Sequence, residues 1–137
     1  MIVQTQTTSF KAELYQAVHN LLTDTLKIAL YTANANLDAD TTVYSSANEV
    51  VAAGYTAGGA TLTGVTLGTS GYTAYVNFNN VSWTTAVTAR CALIYNTSKS
   101  NKSVAVLDFG ADKTSTTTFL ITMPQNTATT ALIRSSN

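Results

Sequence analysis

The stretch that decides the fold is Thr88–Gly110, TARCALIYNTSKSNKSVAVLDFG: two apolar runs joined by a polar hinge. Side chains of a strand alternate between its faces. Ala89, Cys91, Leu93 and Tyr95 therefore fall on one side, and Arg90, Ala92, Ile94 and Asn96 on the other. Both sides are largely apolar, and so is the return run Ser103–Phe109. Strands of this kind sit in the middle of a sheet with material packed above and below. NTSKSNK, residues 96–102, reads as the hairpin tip. The stretch thus predicts a central β-hairpin. Its ionisable groups (Arg90, Cys91, Tyr95, Lys99, Lys102 and Asp108) compose no catalytic set.

Working outward, Ser9–Leu22 places Phe10, Leu14, Ala17, Val18 and Leu21 at spacings of three and four, the pattern of a helix with one apolar face. Ser9 or Thr8 would cap it, and Glu13 suits the positive end of its dipole. From Thr25 the period shortens to two. Leu26, Ile28 and Leu30 alternate with Lys27, Ala29 and Tyr31, which predicts a half-buried strand. Ala33–Asp40 reads as loop, and Thr41–Val51 as a short irregular strand or turn. The six glycines of Ala52–Tyr72 mark turns and short strands. Tyr72, Ala74, Val76 and Phe78 form a strand pattern, Asn79-Asn80 a turn before Val81-Ser82-Trp83, and Phe119, Ile121 and Met123 a strand that Pro124 ends. ALIRS, residues 131–135, closes the chain as a last short strand. One helix over about 9–22 and about seven strands from about residue 25 onward predict a single, mainly β domain over residues 1–137. Its architecture is an antiparallel β-sandwich or jelly-roll-like fold.

The chain has 137 residues, enough for one domain with a real core and too few for two. Seven basic and seven acidic side chains cancel, and only 10% of residues are charged. That excludes the basic face with which a nucleic-acid binder displaces counterions, so no nucleic-acid partner is predicted. A hydrophobic content of 45% excludes a disordered chain. Threonine is the commonest residue, and Ser, Asn and Ala fill much of the rest. A surface solvated by hydroxyls and amides rather than charges points to packing against partners. An extracellular domain with a Thr-rich surface is the other reading. The N-terminal MIVQTQTTSF has no basic region followed by an apolar core, so synthesis in the cytosol without a signal peptide is expected. No apolar run reaches membrane-spanning length, and no membrane partner is predicted.

Candidate chemistry is sparse. Cys91, the single cysteine, lies in the strongest apolar run and reads as a small buried hydrophobe. His19 reads as an exposed histidine on the polar side of the helix, and no nucleophile elbow of the form G-x-S-x-G accompanies it. One Cys and one His cannot supply a zinc site. Asn34, Asn36, Asp38 and Asp40 alternate like the first half of a calcium loop, but Ala39 stands where the turn glycine belongs and Ser45 where the closing Glu belongs. A solvated turn is the expectation there, and metal binding at Asn34–Asp40 stays open. Asp108-Phe109-Gly110 matches the kinase triplet in letters alone, and AGGATLTG lacks the Lys-Ser/Thr of a phosphate loop. The prediction is a protein with no catalytic, metal or cofactor residues, and not an enzyme. Tyr31, Tyr44, Tyr55, Tyr72 and Tyr75 suit protein interfaces or sugar stacking, and equally the covering of half-buried β surface.

Five segments in order carry a family likeness: Phe10-Lys11 opening the helix, Ile28–Tyr31, Gly54–Gly59 (GYTAGG), Ala92–Asn96 (ALIYN) and Asp108–Lys113 (DFGADK). Together they span nearly the whole chain, which resembles the small structural proteins of tailed-bacteriophage virions. Cys91 departs from the glycine common at that position in the family. The resemblance implies a virion component made in the host cytoplasm, most plausibly a capsid decoration (cement) protein. Such a protein binds the major capsid protein and copies of itself, as a trimer or other oligomer, and stabilises the mature lattice. A tail, baseplate or head-fibre component that binds host-surface glycans is the alternative implication. The family has no catalytic residues to carry over.

Overall fold

The hinge at Thr97–Lys99 closes as one 3-10 turn, and the runs beside it become β7 (Val87–Asn96) and β8 (Lys102–Ser115) of a computed structural model that describes residues 3–136. Around them the chain runs β1 (Val3–Gln6), α1 (Thr8–Tyr15), β2 (Leu26–Tyr31), β3 (Ala60–Thr61), β4 (Thr66–Ser70), β5 (Thr73–Asn77) and β6 (Val81–Trp83), with β9 (Phe119–Ile121) and β10 (Ile133–Ser135) last. Three antiparallel sheets form, with strand orders β1-β8-β7-β2-β3, β10-β5-β4 and β6-β9. The mainly β, sandwich-like architecture agrees with the sequence reading.

The two apolar faces of the hairpin meet two different partners. Ile28, Leu30, Ala92, Ile94 and Leu107 pack against Val76, Trp83, Phe119, Ile121 and Ile133 of the smaller sheets, making one continuous core. On the opposite face Ala29, Tyr31, Cys91, Leu93, Tyr95 and Val106 form a second cluster, covered by Ala35, Leu37 and Tyr44 of the long loop after β2. Burying each large aliphatic side chain contributes about 1.5–3 kcal/mol. β2 is therefore buried on both faces, where a half-buried strand was expected. The β7–β8 register slips between Ala89 and Cys91, a bulge that resets the alternation. Ala89 consequently belongs to the main core and not to the Cys91 face on which simple alternation places it.

The helix is shorter than its apolar spacing predicts. It begins at Thr7, whose hydroxyl accepts the Phe10 N–H at 3.3 Å, and ends at Tyr15 rather than near residue 22. Ala17 takes the left-handed conformation (φ 57°), the Val18 N–H reaches the Glu13 carbonyl and the Ala17 N–H the Leu14 carbonyl. These are the two bonds of a Schellman stop. Glycine normally occupies that position, and with alanine there the stop leaves no mark in the sequence. Residues 17–22 are turn and irregular chain, so Leu14 stays partly exposed while Phe10 is fully buried.

Strands also begin earlier than residue 25. Val3–Gln6 is an edge strand on β8, with Val3 opposite Asp108 and Gln6 opposite Ala105. The GYTAGG segment ends in Gly58 and Gly59, at φ 98° and 82°. A Cβ on Gly59 would stand 1.8 Å from the Ile28 carbonyl oxygen, so only glycine lets this turn lie against β2.

Candidate functional sites

Glu49 is the most enclosed carboxylate of the described residues, 7% exposed. The segment around it runs beside the end of β2: a backbone bridge joins Tyr31 to Glu49, and the Val50 N–H donates to the Leu30 carbonyl. Tyr44 donates its hydroxyl to Oε1 at 2.6 Å, Tyr55 to Oε2 at 2.5 Å, and the Gly58 N–H to Oε2 at 2.8 Å. Tyr55 in turn accepts the Leu30 N–H, Tyr31 donates to the Ser45 carbonyl, and Tyr95 to the Gly58 carbonyl. Tyr44 and Tyr95 stack with ring centroids 4.5 Å apart. Burial, then the Glu49 charge, pushes the Tyr95 phenol up to about 12. The same two causes drive Tyr55 and Tyr44 higher still, Glu49 acting there chiefly through its hydrogen bonds. Tyr31 follows, by burial and then by charge. Four neutral phenols thus enclose one carboxylate whose two oxygens are both engaged. The arrangement fastens the 44–59 loops onto β2 and β7.

His19 makes the second knot. Its side chain is fully buried beside the Phe10 ring (centroids 5.0 Å apart), not exposed on a helix face as its place in the sequence suggests. Nε2 lies 2.9 Å from Glu13 Oε1 and Nδ1 3.0 Å from Asn96 Nδ2. The Asn96 amide orientation is fixed independently, because Oδ1 accepts the Ser98 N–H and Nδ2 donates to Asp24 Oδ2 at 2.8 Å. Nδ1 must therefore accept, and Nε2–H donates to Glu13. Desolvation pushes the Asp24 carboxyl up, but the Asn20 N–H, the Asn96 amide and Lys99 outweigh it and hold the group below its usual value. Lys99 sits 3.6 Å away, so this hairpin-tip lysine is already paired within the fold.

The other sequence candidates lie apart from these knots. Asp38 caps its own turn by accepting the Asp40 N–H at 2.8 Å, and among the described residues no group of three or more His, Cys, Asp or Glu side chains converges. Cys91 is buried, and burial followed by the Asp108 charge pushes its thiol up to about 11. The tyrosines divide. Tyr31, Tyr44 and Tyr55 join the Glu49 knot with Tyr95, whereas Tyr72 is 92% exposed at the tip of the β4–β5 hairpin. The Tyr75 ring lies over Gly68, where a Cβ would stand 2.6 Å from it. Leu67 is also half-exposed, and Thr66–Asn77 contains no charged side chain. β4 is the free edge of its sheet, with no Lys, Pro or bulge to blunt it. Sequence reasoning missed both knots: Asn96 meets His19 and Asp24 from more than seventy residues away, and the Glu49 partners Tyr44, Tyr55 and Gly58, though near in sequence, lie in an irregular loop with no period to read.

Comparison with protein-family models, with curated protein sequences and with solved structures returns no match.

Proposed function

We propose that this chain is a structural protein of a tailed-phage particle, acting as a capsid decoration or cement protein that binds the mature coat lattice. The observation that carries the reading is the ordered series of five segments from Phe10-Lys11 to Asp108–Lys113. The uncharged β4–β5 hairpin supports it: Leu67, Tyr72 and an open strand edge offer a neutral contact surface of the kind a repeating lattice buries. The reading assigns no reaction to the chain. In keeping with that, Glu49 and His19 spend their polar atoms on internal bonds.

Selective binding to the mature lattice stabilises that state by mass action, and repetition over many copies multiplies a weak contact. The partners under this reading are the major capsid protein and further copies of this chain, with a trimer favoured. Copy counting in purified virions is the test. A lattice component occurs in hundreds of copies, and particles stripped of it release DNA at lower temperature; unchanged thermal release overturns the cement role.

One observation favours a second reading. The Tyr72 ring stands free at a hairpin tip, a geometry suited to stacking on a sugar, which fits a tail, baseplate or head-fibre component binding host-surface glycans. A copy number matching a tail ring decides for it.

A further inference from the structure

We propose that the groove between the free edge of β1 and the C-terminal segment holds an extended acidic peptide of a partner protein, which adds to β1 as a further strand. β1 ends its sheet; its ladder runs to β8 alone, and among the described residues no backbone bond covers the other side. Its sequence, VQTQ, lacks the Lys, Pro or bulge with which exposed edges are usually blunted. A groove of about 760 Å³ lies along that edge, with Gln4 and Gln6 at its base, Lys11 and Tyr15 of α1 on one wall, and Leu132 and Arg134 on the other. The Gln4 amide donates to the Thr130 and Ala131 carbonyls and the Gln6 amide to the Arg134 carbonyl. These bonds hold the far wall one side chain's reach from β1, so the edge stays open instead of pairing with β10.

Charge selects the occupant. The chain carries equal numbers of basic and acidic side chains, yet among the described residues the groove lining has two cations and no carboxylate. Neither Lys11 nor Arg134 has an ion-pair partner among the described residues, whereas Asp24 and Asp108 pair with Lys99 and Arg90 elsewhere. An extended segment with carboxylates on the side facing the walls would meet a cation on each, while its backbone completes the β1 ladder. Two cations on a neutral protein do not make the continuous phosphate track that nucleic acid requires. The exposed Tyr15 ring and the partly exposed Leu14 side chain fit the alternating side chains of a strand. The inference concerns a different surface from the β4–β5 hairpin and holds wherever the protein works.

The test uses the full chain and a fluorescent peptide of alternating Glu and Thr, roughly eight residues long to cover one strand, with its Lys–Thr counterpart and a polyphosphate as controls. The Glu–Thr peptide binds, and raising ionic strength from about 0.05 M to about 0.5 M weakens it severalfold. The charge reversal Lys11→Glu, at an exposed helix position, reduces affinity at least about tenfold, the loss of one favourable ion pair and the gain of a repulsive one. Should Arg134→Ala disturb the C-terminal strand, Lys11→Glu alone still decides. Backbone amides of Val3–Gln6 that exchange freely in the unbound protein become protected in the complex. Equal binding of the Lys–Thr peptide, tighter binding of polyphosphate, affinity unchanged in Lys11→Glu, or no new protection along β1 each overturns the proposal.

Discussion

β7 and β8 form a hairpin in which nearly every residue from Cys91 to Leu107, outside the turn, is buried; in the β4–β5 hairpin only Val76 and Asn77 are. Both are antiparallel and carry small apolar residues, but β7–β8 also holds Arg90, Lys99, Lys102, Asp108, Asp112 and Lys113, whereas Thr66–Asn77 has no charged side chain. The difference lies in what covers them. Layers on both sides of β7 turn each side chain into a packing contact, while β4 lies at an edge with glycine at its centre and its one large apolar side chain half in water. A hairpin that contributes so little to the core, and is left so neutral, is free to serve contact with another surface.

Core truncation should show the contrast at its largest. Leu93→Ala on β7 is expected to cost about 3–4 kcal/mol by cavity formation, read from chemical denaturation, whereas Leu67→Ala on β4 should cost well under 1 kcal/mol. Equal costs would erase the distinction. Next comes the knot that ties loops to the buried hairpin. Glu49→Gln exchanges an acceptor-only carboxylate for an amide that cannot receive all three donors, with an expected loss of about 2 kcal/mol in the same measurement. Tyr72→Ala should leave stability unchanged.

The tyrosines around Glu49 also set a pH window. Their folded values lie above the ordinary value of about 10, so the unfolded chain loses phenolic protons first. Their contribution to stability is complete below about pH 10 and is lost as pH rises through about 12, where Tyr95 titrates in the folded protein. Melting temperature should fall across that interval in the native protein and less steeply in Tyr95→Phe. The helix stop gives a smaller effect of opposite sign: Ala17→Gly relieves the left-handed alanine and should stabilise the protein by about 1 kcal/mol. Smallest in stability and largest in consequence is Tyr72→Ala, expected to shift unfolding by less than about 0.5 kcal/mol. Under the proposed cement role it should nevertheless reduce retention of the protein on isolated capsids; undiminished retention removes the hairpin from the contact surface.

What could be read in advance follows the same division. Strands β7 and β8 were legible because apolar residues on both faces of a run have few folded alternatives; β2 was legible by its alternation, though not its burial on both faces. β1 was not: Val3–Gln6 has no apolar period and is a strand only because β8 extends far enough to pair with it. The end of the helix was hidden by an alanine in a glycine's conformation, and with it the fate of His19, which leaves the helix pattern and turns inward against Phe10. Five tyrosines were visible as a group, but not that Tyr44 and Tyr55 would grip the Glu49 carboxylate while Tyr31 and Tyr95 bond the backbone beside it. That knot is assembled by the Gly58-Gly59 turn, whose backbone no residue alternation encodes.

Cys91 sits in the floor beneath the loop that carries Ala35, Leu37 and Tyr44, with its sulfur protonated up to about pH 11. Cys91 is only 9% exposed, so a thiol-reactive dye gains full access to it when that cover lifts. At neutral pH the labelling rate therefore times the opening of one particular flap, and the molecule carries its own clock for local breathing without an engineered probe.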